Sequence, residues 1–440
     1  MSCETASRNA TPPAPAWSAD LAPGAPTIDP AQAARDHVTD PRLARLVPGF
    51  DAPFFQAGLA GYSDAAMRIV ARREGCPLCV TEALLDRTLI AGGRGFAKAD
   101  LGELEDNVPG GSEDQPLVGQ IMGCEPDEMA AAAVKMVEQA KRPPSAYRKL
   151  ARFGLSAAPP GTRIEPAQRQ DATPSFASID VNLACPVKKI NRKARGGHWL
   201  REPDGAIDIL RAVREALPHQ QVTSIKMRRG FDDSPEAESN FLRILDAAFE
   251  LGYGFVTVHG RTVEQKYVGP SRWLFLRKLM QLRPDALVFG SGDIWNVHDI
   301  FRMLSYTGVK AVSVARGSIG NPWIFRQARD MMAGRPPAPP TIAEQRAVLL
   351  HHFELSVAIN GETRASKMMR KFGLRFAQHH PDGEQVRLAF INVNSIDQWR
   401  AVLDRYYNTD DASVRTETTA VRTIPVDPAE SQHFQAASIT

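Results

Sequence analysis

Between Pro53 and Met332, eight short apolar runs alternate with amphipathic segments, and this alternation constrains the fold more than any other feature. The runs are Pro53–Ala57, Leu78–Thr81, Leu117–Ile121, Ser178–Leu183, Thr223–Met227, Phe255–Val258, Leu287–Gly290 and Ala311–Val314. Each has strand length and is bounded by turn residues or charges. The segments between them include Asp64–Arg73, Pro126–Glu138, Asp204–Ala216, Pro235–Leu251, Arg272–Leu282, Val297–Leu304 and Pro322–Met332. They carry helical spacing, as in Leu242, Leu245, Ala248 and Phe249. Strands that alternate with helices predict a parallel sheet, and eight of them close a barrel. The expected fold class is therefore α/β, a (β/α)8 TIM barrel, followed by a C-terminal all-helical domain. The alternative is an open doubly wound sheet. Against it, no G-x-G-x-x-G follows the first strand.

Composition divides the chain further. Residues 1–46 are rich in Pro, Ala, Ser and Thr and are expected to be a disordered extension, with a short helix around Ala31–His37. The barrel is expected over 47–332, with a basic, Pro-rich insertion at about 142–176. Residues 333–340 contain G-R-P-P-A-P-P and read as a linker. Residues 341–408 read as helical, with Val348, Leu349, Phe353 and Val357 on one face, and 409–440 as a disordered tail. The net charge of +3 says little about partners, so local clusters must carry that argument. Five cysteines at 3, 76, 79, 124 and 185 are scattered and odd in number, which fits a reducing compartment; a cytoplasmic location is expected. Cys76-Pro-Leu-Cys79 reads as apolar packing, with a zinc or redox role as the alternative, and no metal is expected. No apolar run approaches the ~20 residues of a membrane helix, and the N-terminus shows no secretory h-region.

The stretch Ser178–Trp199 holds the most chemistry. Ile179, Val181 and Leu183 alternate with Asp180 and Asn182 as a strand. Pro186 ends it, since proline cannot donate to a ladder. A thiol, Cys185, thus stands where a strand becomes a loop, beside the Asn182 amide and the cations Lys188, Lys189, Arg192, Lys193 and Arg195. Such a place suits a polyanionic substrate and a Cys acting as acid or nucleophile. The plainer reading, a buried Cys next to a solvated charge run, fits composition equally well.

Further candidates stand at other strand ends. Small residues in Gln56-Ala-Gly-Leu-Ala-Gly-Tyr-Ser-Asp64 let a flat ligand approach the backbone; otherwise this is a turn with Ser63 as helix cap. Gln120 carries an amide able to donate and accept. Lys226 puts a cation at a strand end, and His259 ends the sixth strand. Gly290-Ser-Gly-Asp293 and Ala315-Arg-Gly317 follow strands seven and eight, the pair of loops from which barrels build phosphate sites. Arg364, Lys367, Lys371 and Arg375, with Arg370 alongside, share a helical stripe that is either solvated or a grip on a polyanion.

The string D-V-N-L-A-C-P-V-K-K-I-N-R-K resembles the signature of tRNA-dihydrouridine synthases, D-[IV]-N-x-[GA]-C-P-x-K-K, in the form closest to the B branch of the bacterial enzymes. P-L-V-G-Q-I-M-G, S-I-K-M-R and H-G-R-T match further parts of the family pattern, and the likeness runs from about Ala52 to Tyr407. Departures are Gly58 and Leu59 for the usual Pro-Met, Ser291 for Asn, Ala315 for Gly and Phe372 for a common His. The resemblance implies reduction of the uracil C5–C6 bond in tRNA, with Cys185 as proton donor. It implies FMN held by Gly58, Leu59, Ala60, Gln120, Lys226, His259, Ser291, Gly292, Asp293, Ala315 and Arg316. Asn182, Lys188, Lys189, Arg192 and Arg261 would hold the uridine and its backbone, while Arg364, Lys367, Arg370, Lys371 and Arg375 grip tRNA. NADPH, or NADH, is the implied reductant, and a monomer with no membrane association is expected. Two rivals are a barrel acting on a free pyrimidine, as dihydroorotate dehydrogenases do, and a tRNA-binding homologue with impaired catalysis.

Overall fold

The computed structural model describes residues 28–90, 112–140, 176–186 and 196–408. Two helices come first, α1 (Pro30–Asp36) and α2 (Pro41–Leu46). The short helix expected around Ala31–His37 is α1, and α2 corrects the expected disorder that follows it. Asp29 and Asp40 cap the two helices, each followed by Pro at the first helical position, where its missing N–H costs nothing. A Pro- and Ala-rich composition hides such starts. Leu43, Val47 and Phe50 are buried against Phe55, Phe255 and Phe289 of the barrel, so this segment is held by apolar burial.

Eight parallel strands close a barrel in chain order: β1 (Phe54–Gln56), β2 (Cys79–Leu85), β3 (Leu117–Met122), β4 (Ser178–Leu183), β5 (Thr223–Arg228), β6 (Phe255–His259), β7 (Val288–Ser291) and β8 (Ala311–Val314). Closure is made by β1 on β8, with Phe54 opposite Val312 and Gln56 opposite Val314. Outside lie α3 (Ala65–Arg73), α4 (Asp86–Ile90), α5 (Pro126–Ala140), α6 (Pro203–Ala216), α7 (Pro235–Glu250), α8 (Trp273–Leu282), α9 (Val297–Thr307) and α10 (Trp323–Met332). Helix α9 shows how the sequence sets these ends: Asn296 and Asp299 form a capping box, and Gly308 ends the helix at φ 78°. The cap of α3 is Asp64, whose side chain accepts from Met67 N, and not the expected Ser63. Ser63 Oγ instead accepts from Leu59 N and holds the turn after β1.

The C-terminal helices are α11 (Ile342–Asn360), α12 (Glu362–Phe376), α13 (Gly383–Ile391) and α14 (Ile396–Tyr406). They dock on the barrel at two places. Leu355, Ala358 and Ile359 of α11 pack on Ala65, Ala66, Ile69 and Val70 of α3. At the other, α12 presses on Gly320, where φ is 71° and a Cβ would sit 2.6 Å from that of Arg375. The expected tail and nearly all of the expected insertion lie outside the described residues. Among the described residues no helix is long and apolar enough to cross a membrane.

Candidate active site

The polar ends of the strands converge at the C-terminal mouth of the barrel. Register places Gln120 opposite Asp180, Asn182 opposite Lys226, and Arg228 opposite His259, which in turn faces Ser291. Side chains two apart on a strand share a face, so Asp180 and Asn182 point the same way, as do Ser224, Lys226 and Arg228. Gln120 Nε2 donates to Asp180 Oδ2 at 2.8 Å, and Ser224 Oγ donates to Asp180 Oδ1 at 2.8 Å. Asn182 Nδ2 donates to Gln120 Oε1 at 2.8 Å. The Asn182 oxygen then accepts from the backbone N–H of Ala184 and of Cys185, at 2.9 and 3.0 Å.

Cys185 is partly exposed just beyond β4. Two further contacts hold its turn: Arg228 Nε donates to Ala184 O at 2.9 Å, and Gly197 N donates to Cys185 O at 2.9 Å. Gly196 adopts φ 45° there, and a Cβ on it would lie 3.0 Å from that of Cys185. Lys188, Lys189 and Arg192 lie outside the described residues.

Burial governs the charges. It pushes the Asp180 carboxyl up to about 6 and the Lys226 ammonium down to about 8. Arg228 is lowered to about 10, again by burial first, and donates to three carbonyls, those of Ala184, Thr262 and Lys266. Burial, with Arg228 and Lys226 close by, holds His259 well below its ordinary value, so its ring is neutral. Its Nδ1 accepts from Arg261 N at 3.1 Å, which leaves the proton on Nε2.

The loops after β7 and β8 form a tight cradle. A Cβ on Gly292, at φ 116°, would sit 2.2 Å from Ser271 Oγ, and one on Gly317 would sit 2.3 Å from Ile294 O. Asp293 accepts from Arg261 Nη2 and from Ser271 N, at 2.7 Å each. This corrects two expectations. The Asp293 carboxylate is committed to the loop itself, and Arg261 is locked in a buried ion pair and onto Gly269 O. The Arg316 guanidinium carbon lies over two rings, 4.5 Å from the centre of Trp295 and 5.1 Å from that of Tyr267, and the side chain is 3.8 Å from Asp293. Gly58 also serves the scaffold: a Cβ there would meet Thr81 O at 2.1 Å, so the glycine admits β2 and its smallness is not explained by a flat ligand.

The site therefore brings together Gln120, Asn182, Cys185, Lys226, His259, Ser291, Gly292 and Arg316. Leu59, Ala60 and Ala315 line the loops after β1 and β8. Among the α12 cations, Lys371 departs from the expected open stripe. Its ammonium lies 4.4 Å from the Tyr62 ring centre, and burial lowers its pKa. Arg375 is within electrostatic reach of Arg316, which ties that end of the helix to the mouth. Asp180, Ser224, Arg228, Tyr267 and Trp295 were not among the expected site residues. Period-two spacing from Asn182 and Lys226 was the signal for the first three; the two rings offered none.

Comparisons with known proteins now bear on this geometry. The family model described as dihydrouridine synthase matches residues 145–409, from before β4 through the helical domain. The chain belongs to the dihydrouridine synthase family. A tRNA-dihydrouridine synthase B of Shewanella oneidensis is 28% identical over 360 residues, covering 80% of this chain and 94% of that protein. A probable tRNA-dihydrouridine synthase of Mycobacterium leprae is 32% identical over 230 residues, covering 52% of this chain and 59% of that protein. A solved structure of histamine dehydrogenase from Rhizobium sp. 4-9 aligns with a TM-score of 0.44 at 12% identity, over 74% of this chain and 51% of that one. Family and relatives agree with the expectation from the D-V-N-L-A-C-P stretch: a dihydrouridine synthase, with enzymes of the B branch among its relatives.

Proposed function

We propose that this protein reduces the C5–C6 bond of specific D-loop uridines in tRNA, using NADPH and FMN, with Cys185 as proton donor. The observation that carries the reading is the joining of two half-sites at one mouth: a partly exposed thiol whose backbone turn is held by Asn182, Arg228 and Gly197, and a glycine cradle beside His259 and Arg316. The residues fit a phosphorylated flavin. Two buried polar atoms in or beside the mouth, Ser313 Oγ and Arg261 Nη1, have no hydrogen-bond partner among the described residues.

Backbone N–H groups of Ser291, Gly292 and Arg316, with the edge of the Arg316 guanidinium, would hold the phosphate. Neutral His259 offers an Nε2–H donor there, which does not depend on pH in the neutral range. Lys226 would set a positive charge beside the pyrimidine edge of the ring, and Gln120 keeps one amide hydrogen for it. FMN, when bound, would supply the two-electron chemistry by which hydride from NADPH reaches C6 of uracil.

The Cys185 thiol then gives its proton to C5, which completes the addition of two hydrogens across the double bond. Lys226 and Arg228 lie within electrostatic reach of that thiol and favour the thiolate left behind. Asn182 has one amide hydrogen to spare for a uracil carbonyl. A stacked base must leave the folded tRNA to reach this depth, and the α12 cations with the 188–192 basic run would hold the backbone as it does.

Two measurements test this. The purified protein should be yellow and release FMN on denaturation, and Arg316→Ala should lower flavin retention. Cys185→Ala should abolish dihydrouridine formation in tRNA while NADPH-dependent bleaching of the flavin continues, because that half-reaction needs no thiol. A wild-type dihydrouridine yield in Cys185→Ala would remove the thiol from the mechanism.

A further inference from the structure

Asp180 lies one layer below the mouth, 3% exposed, and makes no contact with the cradle, yet it roots a continuous line of hydrogen bonds. The line runs from Ser178 and Ser224 to Asp180, on to Gln120, on to Asn182, and ends on the backbone N–H groups of Ala184 and Cys185. Its direction is fixed at both ends by groups that cannot reverse. An ionised carboxylate only accepts, so Gln120 must turn its Nε2 toward Asp180 and its Oε1 away. That oxygen requires an N–H from Asn182. The other end of the Asn182 amide is then an oxygen, which is what the two backbone donors of the Cys185 turn demand. An amide could otherwise sit either way round. Here the two ends agree, and no member of the line is left with a clash of donors or acceptors.

We propose that Asp180 is a positioning residue: through Gln120 and Asn182, its carboxylate sets the backbone turn that carries Cys185. The consequence for turnover rests on the reading of Cys185 as proton donor, whereas the positioning itself does not. The Cys185 turn is also held by Arg228 and by Gly197, so cutting the line loosens the turn without releasing it.

The test uses the full chain with its bound flavin. Iodoacetamide alkylation is followed separately at Cys185 and Cys124 by peptide mass. Cys124 is the internal reference: it is partly exposed, and its N–H is bound to Asp86, outside the line. In Asp180→Ala, alkylation of Cys185 should speed up about fivefold, the effect of losing one ordinary hydrogen bond from a closed state, while Cys124 does not change. Asp180→Asn can still offer an oxygen to Gln120 and an amide to Ser224, so it should stay within about twofold of wild type. Should Asp180→Ala fail to fold, Gln120→Met cuts the line one step later with a side chain of similar length and should give the same acceleration. The double variant should be no faster than either, because the two cuts are in series.

An unchanged Cys185 rate in Asp180→Ala and Gln120→Met overturns the proposal. So does equal acceleration at Cys124, or an Asp180→Asn variant as fast as Asp180→Ala. The activity reading fails separately: dihydrouridine formation surviving in Cys185→Ala would retire the proton donor and leave the relay standing.

Discussion

At the barrel mouth Asp180 accepts from Ser224 and Gln120, and Arg228 gives its hydrogen bonds to three carbonyls. Between the C-terminal helices, His352, Ser356 and Ser366 are buried, and their side-chain polar atoms have no partner among the described residues. Along this line the first region orients its polar groups by pairing them. The second coheres through rings: Phe353 stacks on Trp399 at 4.7 Å, His352 meets Phe372 edge-on at 4.5 Å, and Tyr62 of the barrel meets the same Phe372 at 5.4 Å. Paired groups fix geometry to a fraction of a residue, which proton transfer requires. Stacked rings tolerate sliding, which a surface that meets a large RNA can accept. Burial acts on a carboxyl in the first and on an imidazole in the second, so Asp180 and His352 respond to pH in opposite senses.

Asp180 supplies the largest expected effect. Its folded-state value of about 6 lies above the ordinary carboxyl value of 3.8. The folded state therefore keeps the proton longer than the unfolded one, and the contribution to stability, full below 3.8, is lost as pH rises through about 6. Asn does not titrate and can keep both hydrogen bonds. The stability of Asp180→Asn relative to wild type should thus rise by about 2–3 kcal/mol from about pH 4 to about pH 7, measured by urea unfolding at each pH. Lys226 faces this carboxylate, so its ammonium should titrate still lower in the variant. A pH-independent difference would mean that the carboxylate ionises freely and that the mouth is not the dry site described.

His352 should do the reverse. Burial, with His351 and Lys371 nearby, holds it at about 3, so the ring is neutral when folded and its contribution is full above the ordinary 6.5. That contribution is lost as pH falls toward 3. His352→Phe keeps the ring between Phe372 and Phe376 and removes the titration. Relative to wild type it should gain about 2 kcal/mol from about pH 7 to about pH 5, seen as slower hydrogen exchange in α11 and α12. His259 in the barrel pulls in the same direction as His352, so only the difference between variant and parent isolates the helical domain. Equal acid sensitivity in parent and variant would erase the contrast between the regions.

Much of the barrel mouth was legible in the residues. Ser178–Leu183 shows its alternation openly, and strand and expectation coincide there. The turn at Cys185 is announced by Pro186. Asp180 was visible too, two positions before Asn182, but a strand pattern alone cannot say that an inward carboxylate will root a line of amides. That property depends on Gln120 and Ser224 arriving from neighbouring strands. Helix α2 was hidden because the stability of its segment comes from Leu43, Val47 and Phe50 meeting barrel phenylalanines far along the chain. Tyr267 and Trp295 were hidden for the same reason: Arg316 meets them only once β6, β7 and β8 are side by side. Local signals reveal elements and caps, and long-range partners decide what each charge is for.

Helix α12 puts that last statement to its finest test. Its cations form one stripe by spacing, yet the fold divides them. Lys367 is exposed, while the Lys371 ammonium lies over Tyr62, and Arg370 reaches Ile391 O at 3.5 Å. A cation free in solvent releases a counterion from RNA when it meets a phosphate, so Lys367→Ala should flatten the salt dependence of tRNA affinity by up to ~0.9 in log–log slope if it faces a duplex segment. Thermal stability should not change, since Lys367 is exposed. Lys371→Met keeps the stem against Phe372 and Tyr62 but loses the cation–ring attraction, at a cost of about 0.5–1 kcal/mol in stability. Its salt slope should match wild type, because a charge already spent on Tyr62 has little left for a phosphate. The two variants thus exchange signatures: slope without stability for Lys367, stability without slope for Lys371. Should Lys371→Met flatten the slope as much as Lys367→Ala, the ammonium must swing out to RNA. The stripe would then act as one surface, and the contact with Tyr62 would be its resting position.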